Sequence, residues 1–94
     1  MKYPKYIELY KIETLDDAEC PQEEKYPSKT IIKAGFMWEH TLPKIDKEFY
    51  IFQSKTFPIF KTSIVKEIIE KTDEYIIFKT VNSKYKINIK KWKI

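Results

Sequence analysis

The chain has 94 residues and a net charge of +4, made with 18 lysines and no arginine, and it contains one cysteine and one glycine. That length bounds a single domain, residues 1–94, with a modest core. Lone Cys20 excludes an intrachain disulfide and suits a reducing, cytoplasmic compartment. No apolar run is long enough to span a membrane, and the opening MKYPKYIELYK lacks an apolar signal core.

Seven Tyr, six Phe and two Trp offer large areas for burial. With the many β-branched residues they favour strands. Charge is divided unevenly along the chain. Glu13, Asp16, Asp17, Glu19, Glu23 and Glu24 form an acidic block, and Lys79, Lys84, Lys86, Lys90, Lys91 and Lys93 form a basic one. The absence of arginine weakens a phosphate-gripping reading, because the planar guanidinium fork is the side chain that binds phosphate bidentately.

Lys2 to Ile12 is the first strand expected, with Ile7 and Leu9 on one face and Tyr6, Glu8, Tyr10 and Ile12 on the other. An acidic loop follows at about 13–29, where Asp16, Asp17, Glu19, Glu23 and Glu24 are candidate contacts for a basic protein partner. They lack the glycine and the ligand spacing of a Ca²⁺ loop, so no metal site is assigned. Thr30 to Trp38 is the second strand, and its alternation places Ile32, Phe36 and Trp38 in the core. Gly35 inside that strand marks a bulge, a sharp bend or a close backbone approach. An exposed aromatic platform is the competing reading of Phe36-Met37-Trp38. Glu48 to Gln53 is a short third strand.

Ile59 to Glu70 is ambiguous. Ile64, Val65, Ile68 and Ile69 fit a short helical stripe over 63–71, yet all four are β-branched, which favours a strand. Tyr75 to Ile89 reads as a hairpin closed by a two-residue turn at Asn82-Ser83. This turn pairs Lys79 with Lys86 and gathers Ile76, Phe78, Thr80, Tyr85, Ile87 and Ile89 on one face. Lys79, Lys84, Lys86 and Lys90, with Trp92 nearby, are the candidate anion or nucleic-acid face. The fold class expected is therefore mainly β, a small antiparallel barrel or strongly bent sheet of five to six strands. Its core is read as Ile7, Leu9, Ile32, Phe36, Trp38, Ile51, Val65, Ile69, Ile76, Phe78, Tyr85, Ile87 and Ile89.

The segments Thr62-Ser63-x-Val65 and Thr80-x-Asn82-Ser83-x-Tyr85 resemble a pattern in small uncharacterised β-rich proteins of phages and other mobile elements. The resemblance covers residues 60–89 and implies consecutive hairpin strands; no catalytic residue carries over from it, and no cofactor is expected. The residues point the same way. His40 and Cys20 are the single members of their kinds, and an acidic setting quenches a thiolate. With one glycine there is no phosphate-binding loop. The expectation is a non-enzymatic protein-binding module that binds or inhibits a host protein. The alternative is a nucleic-acid-binding barrel. An edge strand would also allow a homodimer.

Overall fold

The structure is a computed structural model that describes residues 4–16, 26–54 and 56–90. Six strands are present: β1 Lys5–Thr14, β2 Thr30–Met37, β3 Glu48–Ser54, β4 Phe57–Lys71, β5 Tyr75–Thr80 and β6 Ser83–Lys90. Each pairs antiparallel with its sequence neighbour, and β1 also pairs with β6, so the sheet closes into a barrel. Closure removes the two outer edges that an open sheet would present. The interior holds Ile7, Leu9, Met37, Phe49, Ile51, Val65, Ile76, Phe78, Tyr85 and Ile87.

Over residues 35–38 the side-chain phase of β2 is opposite to the expected one, while Ile32, across a register shift against β1, packs against the core as expected. Gly35 and Met37 face inward, while Phe36 and Trp38 lie half-buried on the outside. The reason is steric. A Cβ on Gly35 would stand 2.5 Å from Ile51 Cγ2 and 2.8 Å from the Phe52 carbonyl oxygen. β3 crosses so close to β2 here that the inward position has room for hydrogen alone. Gly35 also lies opposite Ile7, which points into the core. Among the described residues, Phe36–Phe52 is the one β2–β3 partner pair, so this seam is closed mainly by side chains.

β4 is a strand throughout, which removes the helical alternative for 63–71. Its early residues pair with β3, and from Val65 onward it pairs with β5. Two register shifts against β5 insert extra residues at Lys66 and Ile69. Each such bulge advances the inward position by one residue. With a further register shift against β3 between Lys61 and Ile64, Thr62, Val65 and Ile68 turn inward at intervals of three, whereas Ile64 of the helix-like stripe is 41% exposed. Ile69, placed in the core by the alternation, is instead 42% exposed.

The β5–β6 hairpin has the expected faces but a different register. Lys79 lies opposite Lys84, not Lys86, and Phe78 lies opposite Tyr85. The loop therefore spans Thr80 to Ser83 and not Asn82-Ser83 alone. Thr80 organises it. Its Oγ1 accepts from the backbone N–H groups of Asn82 (3.2 Å) and Ser83 (3.1 Å) and donates to the Ser83 carbonyl (3.2 Å). The shift is two residues, equal to the side-chain period, so Ile76, Phe78, Thr80, Tyr85 and Ile87 still point inward. Ile89 and Ile32 pack partly buried against this core. Asn82 Nδ2 donates to Ser63 Oγ at 2.8 Å, and the Val81 N–H reaches the Ile64 carbonyl at 3.2 Å. The Thr-Ser-x-Val and Thr-x-Asn-Ser-x-Tyr segments thus meet at one end of the barrel.

Lys11 follows Ile7 and Leu9 inward and is fully buried. Its Nζ donates to the Tyr26 carbonyl at 2.8 Å, and its own carbonyl accepts the Lys29 N–H at 2.6 Å. A buried ammonium needs such acceptors, because an uncompensated charge in the interior is costly.

Gly35 supplies a direct test of the closure. Gly35→Ala reduces stability by about 1–3 kcal/mol through overpacking, outweighing the ~0.4–1 kcal/mol that a glycine replacement can return through the unfolded chain. Urea unfolding measures this; unchanged or raised stability would show that β3 does not approach β2 so closely.

Candidate interaction surface

The candidate basic face is built from outward residues of β6 and β5, and the barrel places acids on both sides of it. Glu13 on β1 is the cross-strand partner of Lys84, Lys84 faces Lys79, and Lys79 faces Glu67 on β4. The row therefore reads acid, base, base, acid, with Lys79 Nζ 3.7 Å from Glu67 Oε1. Lys90 Nζ stands 3.5 Å from Glu8 Oε1. Lys86 lies 4.8 Å from the centre of the Tyr75 ring, in cation–π geometry. Each lysine of this face in the described chain has a negative or π-rich neighbour, which lowers its value as a phosphate contact. Trp92 lies outside the described residues.

The acidic candidates are divided. Asp16 is described and exposed, whereas Asp17, Glu19, Glu23 and Glu24 lie outside the described residues, as does Cys20. Glu13, which opens that block, is the member seen beside a hairpin lysine. His40 is exposed on the short 3₁₀ turn Glu39–Thr41, and its carbonyl accepts from Lys44 Nζ at 3.2 Å. Among the described residues no group of three or more His, Cys, Asp or Glu side chains could hold a metal ion. No described helix is long and apolar enough to cross a membrane.

A second surface emerges, centred on β1, β2 and β3. Cross-strand registers align Lys90, Tyr6, Phe36, Phe52 and Pro58 into one row running over β6, β1, β2, β3 and β4. The rings of Tyr6 and Phe36 meet edge to face at 5.6 Å, and Phe36 and Trp38 lie 6.4 Å apart. Trp38 and Phe52 are again edge to face at 5.6 Å, and Tyr50 stands 6.3 Å from Phe52. Such pairs add about 0.5–1.5 kcal/mol each beyond their buried area. They brace the β2–β3 seam from outside, where the backbone pairing is sparse. Trp38 is held by Thr41, whose Oγ1 accepts from the Trp38 N–H at 2.8 Å and donates to the Trp38 carbonyl at 3.0 Å.

The far end of this row is the more open one. Tyr50 is 36% exposed, and Phe57, next to Pro58, is 59% exposed. The flanking charges are satisfied locally. Lys61 Nζ lies 3.4 Å from Glu48 Oε2, and the Tyr50 hydroxyl donates to Glu48 Oε1 at 3.0 Å. Tyr6, Tyr50 and Phe52 carry no special signal when the strands are read singly. The signal was Gly35: its inward position places Phe36 outside, and the platform follows.

Glu48 also perturbs the phenol it binds. The hydrogen bond from Tyr50, then the negative charge of Glu48, raises the Tyr50 pKa above its usual 10.0. The Tyr75 hydroxyl donates to Glu70 in the same way, and that bond, followed by burial and the charges of Glu70 and Glu74, raises its pKa. Both phenols bind their protons more tightly in the folded chain. Their contribution to stability is thus intact below about pH 10 and is lost as pH rises through the raised values. In an ultraviolet absorbance titration, Glu48→Gln returns the Tyr50 midpoint toward 10.0 and leaves Tyr75 unchanged. An unmoved Tyr50 midpoint would mean that Glu48 does not hold it.

No known protein family, no curated protein and no solved structure matches the chain.

Proposed function

We propose that this chain is a small non-enzymatic protein-binding module, of the kind that a phage or mobile element uses to bind or inhibit a host protein in the cytoplasm. The observation that carries the reading is the outward aromatic surface of Trp38, Tyr50 and Phe52, bordered by the Lys61–Glu48 ion pair. Protein interfaces share this anatomy: aromatic residues are enriched at the centre and the rim is polar. Trp and Tyr are also the residue types that most often dominate binding energy. The acidic segment holding Asp16, Asp17, Glu19, Glu23 and Glu24 would add a second contact for a basic partner.

Binding of nucleic acid through Lys79, Lys84, Lys86 and Lys90 is the competing reading. It is less favoured because Glu8, Glu13 and Glu67 lie beside those lysines. An isolated phosphate-binding face depends on uncompensated positive charge.

Affinity capture from host lysate separates the two readings when the wild-type chain is compared with Trp38→Ala/Tyr50→Ala and with Lys79→Glu/Lys86→Glu. The expected result is a discrete protein retained by wild type and by the lysine variant, and lost by the aromatic variant. Tyr50→Ala alone, at an exposed position, guards against misfolding of the double variant. Binding of DNA or RNA that falls steeply with salt and disappears in the lysine variant would overturn the proposal.

A further inference from the structure

We propose that residues 26–29 form a strap over one mouth of the barrel, that this strap opens as a unit separate from the barrel itself, and that the buried ammonium of Lys11 is its latch.

The path of the strap is set by contacts with two walls that are not neighbours. On one side it is tied to β1: Lys11 Nζ donates to the Tyr26 carbonyl at 2.8 Å, and the Lys29 N–H donates to the Lys11 carbonyl at 2.6 Å. On the other side the Tyr26 ring meets Phe60 of β4 edge to face, with centroids 5.5 Å apart. β2 and β3 separate β1 from β4 in the ring of strands. Lys11 is fully buried, and Phe60 packs against the core. The strap therefore passes across the end of the interior, not along the outside of the sheet.

The strap itself is lightly held. All four of its residues are exposed. Beyond the ties to Lys11 and Phe60 it is steadied by Thr30, whose Oγ1 donates to the Pro27 carbonyl at 2.8 Å. Its closed form also keeps Lys29 at a φ of 63°, in the left-handed region that a residue with a Cβ rarely adopts. Segments with little buried apolar area and exposed backbone bonds open locally, at a free energy well below that of global unfolding.

The identity of residue 11 points to the latch. Ile7 and Leu9 precede it on the same inward face, and both are fully buried. An apolar side chain would continue that stripe, and replacing a buried charge by an apolar group of similar volume is often neutral or stabilising for a fold. Lysine supplies what an apolar residue lacks, a charge-assisted hydrogen bond to the backbone of the strap. Among the described residues it is the one charged side chain that is fully buried. When the strap lifts, water replaces the Tyr26 carbonyl on the ammonium, so the open form leaves no unpaired charge in an apolar interior. Opening thus uncovers a cation at the barrel mouth.

The test is amide hydrogen exchange of the full chain followed by NMR. In wild type the Lys29 amide exchanges with little dependence on urea, whereas the buried Val65 amide follows global unfolding. Lys11→Met fills the same space without a donor. It lowers the protection of Lys29 by about tenfold or more, the effect of losing one charge-assisted hydrogen bond, while the urea midpoint of the barrel stays at or above that of wild type. The Lys29–Lys11 bond is between backbone groups and survives the substitution, so this amide reports the position of the strap. Tyr26→Ala removes the ring contact, keeps the accepting carbonyl, and lowers the protection less than Lys11→Met does. Unchanged Lys29 protection in Lys11→Met, a larger loss in Tyr26→Ala, wild-type Lys29 exchange that follows urea as Val65 does, or a fall in the urea midpoint of Lys11→Met overturns the proposal.

Discussion

The barrel depends on how closely β3 can approach β2 at Gly35. Ile51 and the Phe52 carbonyl occupy the space where any other residue would carry its Cβ. This approach closes the ring of strands at its least regular seam, where Phe36–Phe52 is the described partner pair. Closure then sets everything outside. With Gly35 and Met37 turned in, Phe36 and Trp38 must turn out, and they meet Tyr6 and Phe52 on the surface. The same contact thereby makes the core continuous on one side of the sheet and creates an aromatic surface on the other.

At one end of the barrel a second constraint operates, and it is polar. Thr80, Asn82 and Ser83 are buried, and Asn82 reaches Ser63 on β4. Burying Thr80 and Asn82 is tolerable because they spend their hydrogen-bonding capacity on the turn and on β4, whereas the buried Ser83 Oγ has no hydrogen-bond partner among the described residues. A four-residue loop held by Thr80 also fixes the β5–β6 register. Register in turn decides which lysine faces which, and so determines that Lys79 and Lys84 share a row with Glu13 and Glu67. The charge pattern of the outer face is therefore a consequence of the chemistry of the adjoining turn.

The two surfaces differ in what they leave available. Around the hairpin, opposite charges from different parts of the sequence have been brought side by side, and surface pairs of this kind contribute little stability, about 0–1 kcal/mol each. Their main effect is to flatten the local potential. The aromatic surface has no such compensation for its exposed apolar area at Tyr50. Apolar area left open beside satisfied charges is what gives the protein-binding proposal its physical basis.

By itself the sequence determined the strand class, five inward residues of the final hairpin, and the importance of its single glycine. These are readable because alternation is local: Ile76, Phe78, Tyr85 and Ile87 share a face whatever lies opposite, and even a two-residue shift of register leaves that face unchanged. Tertiary structure decided the rest. The phase of β2 follows from contact with a strand more than ten residues away, so Phe36 and Trp38 looked like core until Ile51 claimed the space beside Gly35. The inward spacing of Thr62, Val65 and Ile68 comes from register shifts against β3 and β5, which break the two-residue period that identifies a strand. The candidate surface is a row drawn from five strands, and no window of sequence contains it. Periodicity reports which side of its own strand a residue occupies, whereas a site on a closed barrel is defined by register between strands, and register is a property of the fold as a whole.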